Sequence, residues 1–316
     1  MKKNIRHFFL LSALAAGTIY GINTFIDATA GVRKYLNTTS GRFFEWRYGN
    51  IFYTKQGKGT PVLLIHDLHP ASSCAEWEKI VKKLEKEHTV YTLDLLGCGR
   101  SDKPNFTYTN YMYVQLITDF VKKIIEEKTD VFATGDSGSF TLMAANMDDS
   151  IFHRIFLVSP PSLESLQGIP NKGDNFLKNI IDLPIIGTFY YNTKMREQRI
   201  TELFERDYFK RKNLISDETK NAYHESAHLD RSKGKYLYGS IIGNYTKINI
   251  IPALKKIENP IYLIGNRDKE SSVQVLDSYL KYDENIETAY ISNCGKLPQL
   301  EDPKKFMEII RMFYES

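Results

Sequence analysis

The sequence predicts an α/β protein with a mostly parallel β-sheet, helices on both faces of that sheet and an inserted helical cap. Two observations support this class: short apolar runs alternate with helical segments along most of the chain, and a charged helical stretch interrupts them once. A third observation is a basic and then apolar segment at the start of the chain, which predicts a hydrophobic anchor. At 316 residues, the chain is long enough for one or two domains.

The N-terminal segment has the pattern of a signal sequence or a membrane anchor. Lys2, Lys3 and Arg6 precede an apolar run over residues 8–26, whose length approaches the roughly 20 residues that cross a bilayer. The small residues 28–30 offer a cleavage site, but they lie far from the apolar centre, so an uncleaved anchor is favoured over residues 1–30. The short basic tail is expected in the cytoplasm, which places the main domain outside it.

The first elements after the anchor predict a hairpin, a buried strand and a helix. Residues 43–48 and 51–54 flank Gly49-Asn50, a typical hairpin turn. The run 61–65 is wholly apolar, as is typical of a strand covered on both faces. Apolar residues at positions i, i+3, i+4 and i+7 over 77–84 predict an amphipathic helix.

The alternation continues to residue 160 and resumes near residue 257. The predicted strands are 90–95, 131–134, 155–158, 260–264 and 288–291, and the predicted helices are 114–124, 138–146, 273–282 and 306–313. The sheet domain is therefore expected to comprise 41–160 and 257–316, and the interruption at 161–256 is predicted to be the helical cap.

Composition excludes several classes of protein. The 42 Lys and Arg residues exceed the 38 Asp and Glu residues by only four and are scattered, so no nucleic-acid partner is expected. Cys74, Cys98 and Cys294 show no paired spacing, which excludes a disulfide scaffold and a cysteine-based zinc site. No cofactor is predicted.

Polar segments follow several strands, at the sheet edge where ligands bind in open parallel sheets. These segments are Leu64–Pro70, Gly135–Ser139, Gly265–Asp268, Gly295–Pro298 and Glu301–Pro303. In Gly135–Ser139, small residues stand two positions before and two positions after Ser137. Small neighbours are required where a nucleophile sits on a sharp, strained turn between a strand and a helix.

With these motifs the chain resembles the α/β-hydrolase superfamily, in its capped serine-hydrolase form. Asp94–Pro104 is similar to the D-x-x-G-x-G-x-S-x-x-P loop of that family, and His66-Asp67 is similar to its H-G dipeptide, with Asp in place of Gly. The resemblance implies an esterase or acyl-hydrolase acting on a small apolar or ester-like molecule.

The same resemblance implies roles for individual residues. Ser137 would be the nucleophile and Asp268 the acid of a catalytic triad. The backbone N–H groups of Leu68 and Gly138 would stabilise the oxyanion.

The chain departs from the family at the catalytic base. The family's G-H-x-P ending appears here as Gly295–Pro298, with Lys296 in place of histidine. A lysine has a pKa near 10.4, so fewer than about one in a thousand is neutral at pH 7. A neighbouring Asp268 would raise that pKa further, and an Asp268–Lys296 ion pair is predicted. The triad is therefore impaired or non-standard, and the alternative is a non-catalytic pocket protein that binds a small apolar ligand or a protein partner.

Three other arrangements stay open. His224 or His228, in the cap, could replace the missing base. The two histidines also form an H-E-x-x-H pattern with Glu225, whose i, i+4 spacing suits a zinc ion. A shift of one residue makes Asp136 the nucleophile, as in dehalogenases and epoxide hydrolases, although Gly suits the position two before the nucleophile better than Thr134 does.

Overall fold

Eight strands form one twisted sheet in the order β1-β2-β4-β3-β5-β6-β7-β8. The computed structural model describes residues 2–32, 34–38 and 40–315. The strands are β1 (Arg42–Trp46), β2 (Gly49–Gln56), β3 (Thr60–Ile65), β4 (His88–Leu93), β5 (Thr129–Thr134), β6 (Phe152–Val158), β7 (Ile261–Asn266) and β8 (Glu287–Ile291). Strands β1 and β2 pair antiparallel, as do β2 and β4, and all other pairs are parallel. This confirms the predicted fold class.

Helices cover both faces of the sheet. They are α1 (Lys2–Ala30), α2 (Glu78–Leu84), α3 (Asn110–Phe120), α4 (Ser137–Met147), α5 (Lys172–Asp182), α6 (Ile186–Lys194), α7 (Glu197–Leu203), α8 (Asp217–Ser232), α9 (Gly234–Ile242), α10 (Ile251–Leu254), α11 (Glu270–Leu280), α12 (Pro298–Glu301) and α13 (Pro303–Glu315). The central strands are almost wholly buried because apolar side chains pack above and below them. On one face, for example, the rings of Phe132 and Phe156 stack with centroids 4.2 Å apart, and Trp77 of the 3₁₀ turn before α2 packs edge-on against Phe132.

The hairpin turn lies earlier than predicted. Trp46 of β1 pairs with Gly49 of β2, so the turn is formed by residues 47–48 and Asn50 belongs to the strand. The Asp102 carboxylate accepts hydrogen bonds from the backbone and side-chain N–H groups of Asn50, which fixes that residue in β2.

Residues 159–260, all described by the structure, contain helices α5–α10 and no strand. We call this segment the helical insertion. It lies between β6 and β7, and its apolar side chains, such as Phe204 and Tyr223, pack with Leu297 and Leu300 after β8. The insertion therefore rests on the loops at the carboxyl ends of the strands. Its assignment as a substrate-covering cap with limits at 161 and 256 stays a prediction.

Helix α1 is long and apolar enough to cross a bilayer over Leu10–Ala30, and an anchor or a signal sequence would both have this property. Its last turns pack on α6 and α8 of the insertion. The Ser232 hydroxyl of α8 donates a hydrogen bond to Asp27. Asp230, Arg231 and Ser232 have φ values of 55–56°, so α8 ends in a left-handed turn formed without glycine.

Candidate active site

A cavity of about 630 Å³ lies beyond the carboxyl ends of the strands, where the sequence predicts a site. Its lining residues from the sheet domain include Asp67, Leu68, His69, Asp136, Asn266, Asp268, Lys269 and Cys294–Lys296, and those from the insertion are Ser159–Pro161, Leu203 and Arg206–Lys210. The insertion therefore forms one wall of the cavity and the strand-end loops form the other.

The strained residue of the turn between β5 and α4 is Gly135. Its φ is +55°, and it is the one residue of 134–139 in the left-handed region. Glycine adopts this conformation without the steric cost that a side chain imposes. Because the nucleophile of an elbow sits on the strained residue, the backbone places the nucleophile position at Gly135, which has no side chain to react.

Ser137, the predicted nucleophile, lies two residues further on, at the start of α4. Its side chain is fully buried, and its hydroxyl donates a 2.6 Å hydrogen bond to the carbonyl oxygen of His66. Ser137 is not among the cavity-lining residues. The N–H of Gly138, predicted to stabilise an oxyanion, donates instead to the carbonyl of Gly135 within the turn. Leu68, the other predicted donor, does line the cavity.

The buried hydrogen bond of the Ser137 hydroxyl is expected to stabilise the folded state. We expect Ser137→Ala to lower the free energy of unfolding by about 1–2 kcal/mol, because a buried carbonyl loses its donor. Urea denaturation measures this change, and Ser292→Ala, at an exposed position, is the matched control with an expected effect within about 0.5 kcal/mol. Equal stabilities of the two variants would contradict a structural role.

Lys296 forms an ion pair with Asp67. Its Nζ atom lies 2.5 Å from Asp67 Oδ2, so the predicted pairing with Asp268 is corrected: the acid that meets the lysine follows β3 and not β7. Burial disfavours both charges, but their mutual attraction outweighs it, raising the pKa of Lys296 and lowering the pKa of Asp67. The ion pair thus favours the ammonium form of Lys296, which has no lone pair with which to accept a proton.

The Asp67 carboxylate fills the space that a nucleophile would need. A Cβ atom added at Gly135 would lie 2.1 Å from Asp67 Oδ1, which is far inside van der Waals contact. The same Oδ1 atom accepts a 2.9 Å hydrogen bond from the N–H of Asp136. In a nucleophile elbow, the N–H of the residue after the nucleophile is an oxyanion donor. Asp67 thus occupies the nucleophile position and one oxyanion donor together.

Backbone contacts with the insertion fix Lys296 in this place. The N–H groups of Lys296 and Leu297 donate to the carbonyls of Asp207 and Tyr208, at 3.0 and 3.2 Å. A side chain at Gly295 would meet the Tyr208 carbonyl at 2.3 Å, so glycine is required for this close approach. The motif resembling the family ending thus connects the sheet domain to the insertion.

The other predicted acids lie apart from this pair. Asp268 is exposed at the edge of the cavity, and its carboxylate accepts a 2.6 Å hydrogen bond from the N–H of Asn293. Asp136 also lines the cavity, where it forms a 3.0 Å ion pair with Lys247 of the insertion.

His69, within the predicted strand-end segment Leu64–Pro70, is a further residue of the site. It lines the cavity, and its Nδ1 atom accepts a 3.2 Å hydrogen bond from the N–H of Ala71. Burial lowers the pKa of His69 to about 4, although the Asp67 charge opposes this shift. His69 is therefore a neutral and weak base at pH 7. His66 is structural, since it bonds to the backbone of Asp67 and of Leu95 through its two ring nitrogens.

His224 and His228 lie on α8, outside the set of cavity-lining residues. Their rings are 4.4 Å apart, and His228 Nδ1 bonds to the His224 carbonyl. Glu225 accepts a 3.3 Å hydrogen bond from the backbone N–H of Leu36. In the described part of the chain, no three His, Cys, Asp or Glu side chains are grouped to hold a metal ion, so a zinc ion would find only these two ligands.

The comparisons with known proteins agree with the fold. A model of the alpha/beta hydrolase family matches residues 62–309. The 2-hydroxy-6-oxo-6-(2'-aminophenyl)hexa-2,4-dienoic acid hydrolase of Metapseudomonas resinovorans is 24% identical over 80% of this chain and 83% of its own. The soluble epoxide hydrolase of Corynebacterium sp. (strain C12) is 22% identical over 83% of this chain and 92% of its own. The crystal structure of a membrane phospholipase A superimposes on all of this chain and 98% of its own, with a TM-score of 0.64 and 20% identity.

These matches and the sheet topology lead to one conclusion. The family model covers most of the chain, and the two curated relatives are hydrolases. This chain belongs to the alpha/beta hydrolase family.

Proposed function

We propose that this protein is a membrane-anchored member of the family that binds a small, largely apolar molecule in the cavity without hydrolysing it. The observation that carries the proposal is the position of the Asp67 carboxylate, which lies where a nucleophile at residue 135 would stand and is bound by the Asp136 N–H. Neither a reactive side chain nor that oxyanion donor is free at the elbow, and the ammonium of Lys296 replaces the catalytic base.

The walls of the cavity support the choice of ligand. Leu68, Leu203, Phe209 and Val275 contribute apolar surface, and the volume of about 630 Å³ lies in the usual range for small-molecule sites. Membrane anchoring through residues 8–26 is part of the same proposal and is supported by the length and composition of α1. The proposal places the main domain on the extracytoplasmic side because a short basic tail is expected to stay in the cytoplasm.

Hydrolysis with Asp136 as nucleophile is the second candidate. Its carboxylate faces the cavity, and an epoxide hydrolase is among the relatives of the chain. Against it, the Asp136 backbone is helical, with φ −61° and ψ −25°, and the residue lies one position beyond the strained one. Its ion pair with Lys247 would also have to open before the carboxylate attacked.

The experiment uses p-nitrophenyl butyrate as a small ester probe and styrene oxide as an epoxide probe, with the full chain in detergent. We expect the release of nitrophenolate and the formation of diol not to exceed their rates in buffer. We also expect binding of the probe to raise the melting temperature of the protein, with an increase that saturates as the probe concentration rises. Val275→Trp, which fills part of the cavity, is expected to reduce that increase.

Fluorophosphonate labelling identifies the nucleophile if turnover is seen. Turnover and labelling that Ser137→Ala abolishes would overturn the proposal in favour of a serine esterase. Diol formation abolished by Asp136→Asn would overturn it in favour of the second candidate. Ser292→Ala, at an exposed position outside the cavity wall, serves as the control for both variants.

A further inference from the structure

The C-terminal part of α1 and the loop between α5 and α6 form one continuous surface. The side chain of Asn23, only 5% exposed, donates a 3.2 Å hydrogen bond to the carbonyl of Ile185 in this loop. The Asn192 amide of α6 donates in turn to Asn23 Oδ1 at 3.1 Å. With the contact of Asp27 to Ser232, these bonds hold α1 against the insertion from Asn23 onwards.

Large apolar side chains are exposed next to this contact. Leu183 and Ile186, on either side of the bonded part of the loop, are 46% and 59% exposed. Phe176 of α5 is 68% exposed and precedes Leu183, which directly follows the helix, by seven residues or about two helical turns. We call Phe176, Leu183 and Ile186 the apolar ledge. On α1 itself, Phe25 is 70% exposed.

The depth of the apolar ledge follows from helix geometry, and this step rests on the proposed membrane anchoring. With Lys2, Lys3 and Arg6 among the headgroups of one leaflet, the hydrocarbon begins near residue 8. About 20 residues at about 1.5 Å each cross its thickness of about 30 Å, which places the opposite boundary near Asp27. Asn23 then lies roughly 6 Å inside that boundary, and the loop bonded to it lies at the same depth.

We propose that the apolar ledge enters the bilayer beside α1, with lipid acyl chains as its partner. The depth of roughly 6 Å matches the burial of about 5–10 Å that apolar faces reach at membrane interfaces. At this level, the Asn23 side-chain N–H donates to a backbone carbonyl and Asn23 Oδ1 accepts from the Asn192 amide, so both polar atoms of the Asn23 side chain are paired, as the absence of water in the hydrocarbon requires. The insertion, and with it one wall of the cavity, is thereby held at the membrane surface.

The test introduces a tryptophan at the apolar ledge in the full chain, reconstituted in phosphatidylcholine vesicles that contain lipid brominated near the headgroup end of its acyl chains. The two native tryptophans, Trp46 and Trp77, are 7% and 0% exposed, so contact quenching by bromine does not reach them. Ile186→Trp reports the ledge. Met312→Trp is the control, because Met312 is 53% exposed on α13, which packs on α2 and β8.

We expect both variants to float with the vesicles and the fluorescence of Ile186→Trp to be quenched at least about two-fold more than that of Met312→Trp. Flotation with equal quenching would overturn the membrane contact of the ledge and leave the anchoring intact. Failure of the wild type and both variants to float would overturn the anchoring and this inference together.

Discussion

Replacing Lys296 with methionine is expected to lower the free energy of unfolding by about 2 kcal/mol at pH 7. Removing one partner of a fully buried ion pair costs about 3–5 kcal/mol. We expect a loss of only about 2 kcal/mol because the lysine side chain is one-third exposed, so that water screens the pair. The Asp67 carboxylate, only 7% exposed, is then left without its counter-charge.

The pH dependence identifies the cause. In the wild type, the folded pKa of Asp67 lies below its unfolded value, so its contribution to stability is lost as the pH falls through the folded pKa. In Lys296→Met, burial without the ammonium raises the folded pKa above the unfolded value, and the folded state gains stability as the pH falls. The difference between the two proteins should therefore shrink from pH 7 to pH 5.

Urea denaturation at both pH values measures this difference. Asp67→Asn is the matched control, because its amide oxygen still accepts the Asp136 N–H and the remaining ammonium reaches water. We expect it to cost only about 1 kcal/mol. If the free energies of unfolding of wild type and Lys296→Met differed by the same amount at pH 5 as at pH 7, Asp67 would not be the charge that loses its partner.

The combination Asp67→Gly, Gly135→Ser and Lys296→His is expected to hydrolyse p-nitrophenyl butyrate at least about 100-fold faster than the wild type. The first change frees the Asp136 N–H and the space beside residue 135. The second places a hydroxyl on the strained residue, and the third supplies a base whose ordinary pKa is near 7. Fluorophosphonate labelling measures formation of the nucleophile directly.

The control for this combination carries Gly135→Ala in place of Gly135→Ser. It has the same backbone strain and the same freed cavity but lacks the hydroxyl, so we expect neither labelling nor turnover. Circular dichroism and a melting curve establish that both combinations fold. Equal turnover in the two would show that residue 135 is not the nucleophile position.

Most of the sheet could be predicted from the sequence because strands that are buried on both faces consist of consecutive apolar residues. The prediction of 61–65 differs from β3 by one residue, and that of 131–134 differs from β5 by two at its start. The helix predicted at 306–313 lies within α13. These elements depend on local patterns of side chains, which the sequence displays directly.

The register of the elbow could not be predicted. Gly135, Ser137, Gly138 and Ser139 are all small, so the requirement for small neighbours is met at more than one position, and only the backbone angle distinguishes residue 135. The acidic partner of Lys296 could not be predicted from the sequence either. Asp67 and Asp268 both follow strands at the same edge of the sheet, and the contacts of residues 295–297 with the insertion determine which acid the lysine meets.

The close fit of Asp67 beside Gly135 also couples the residues that can stand at the two positions. A serine at position 135 alone would collide with the carboxylate, and a glycine at position 67 alone would leave Lys296 without its counter-charge. The two positions therefore depend on each other, and neither change alone gives an elbow with both a nucleophile and the room for it.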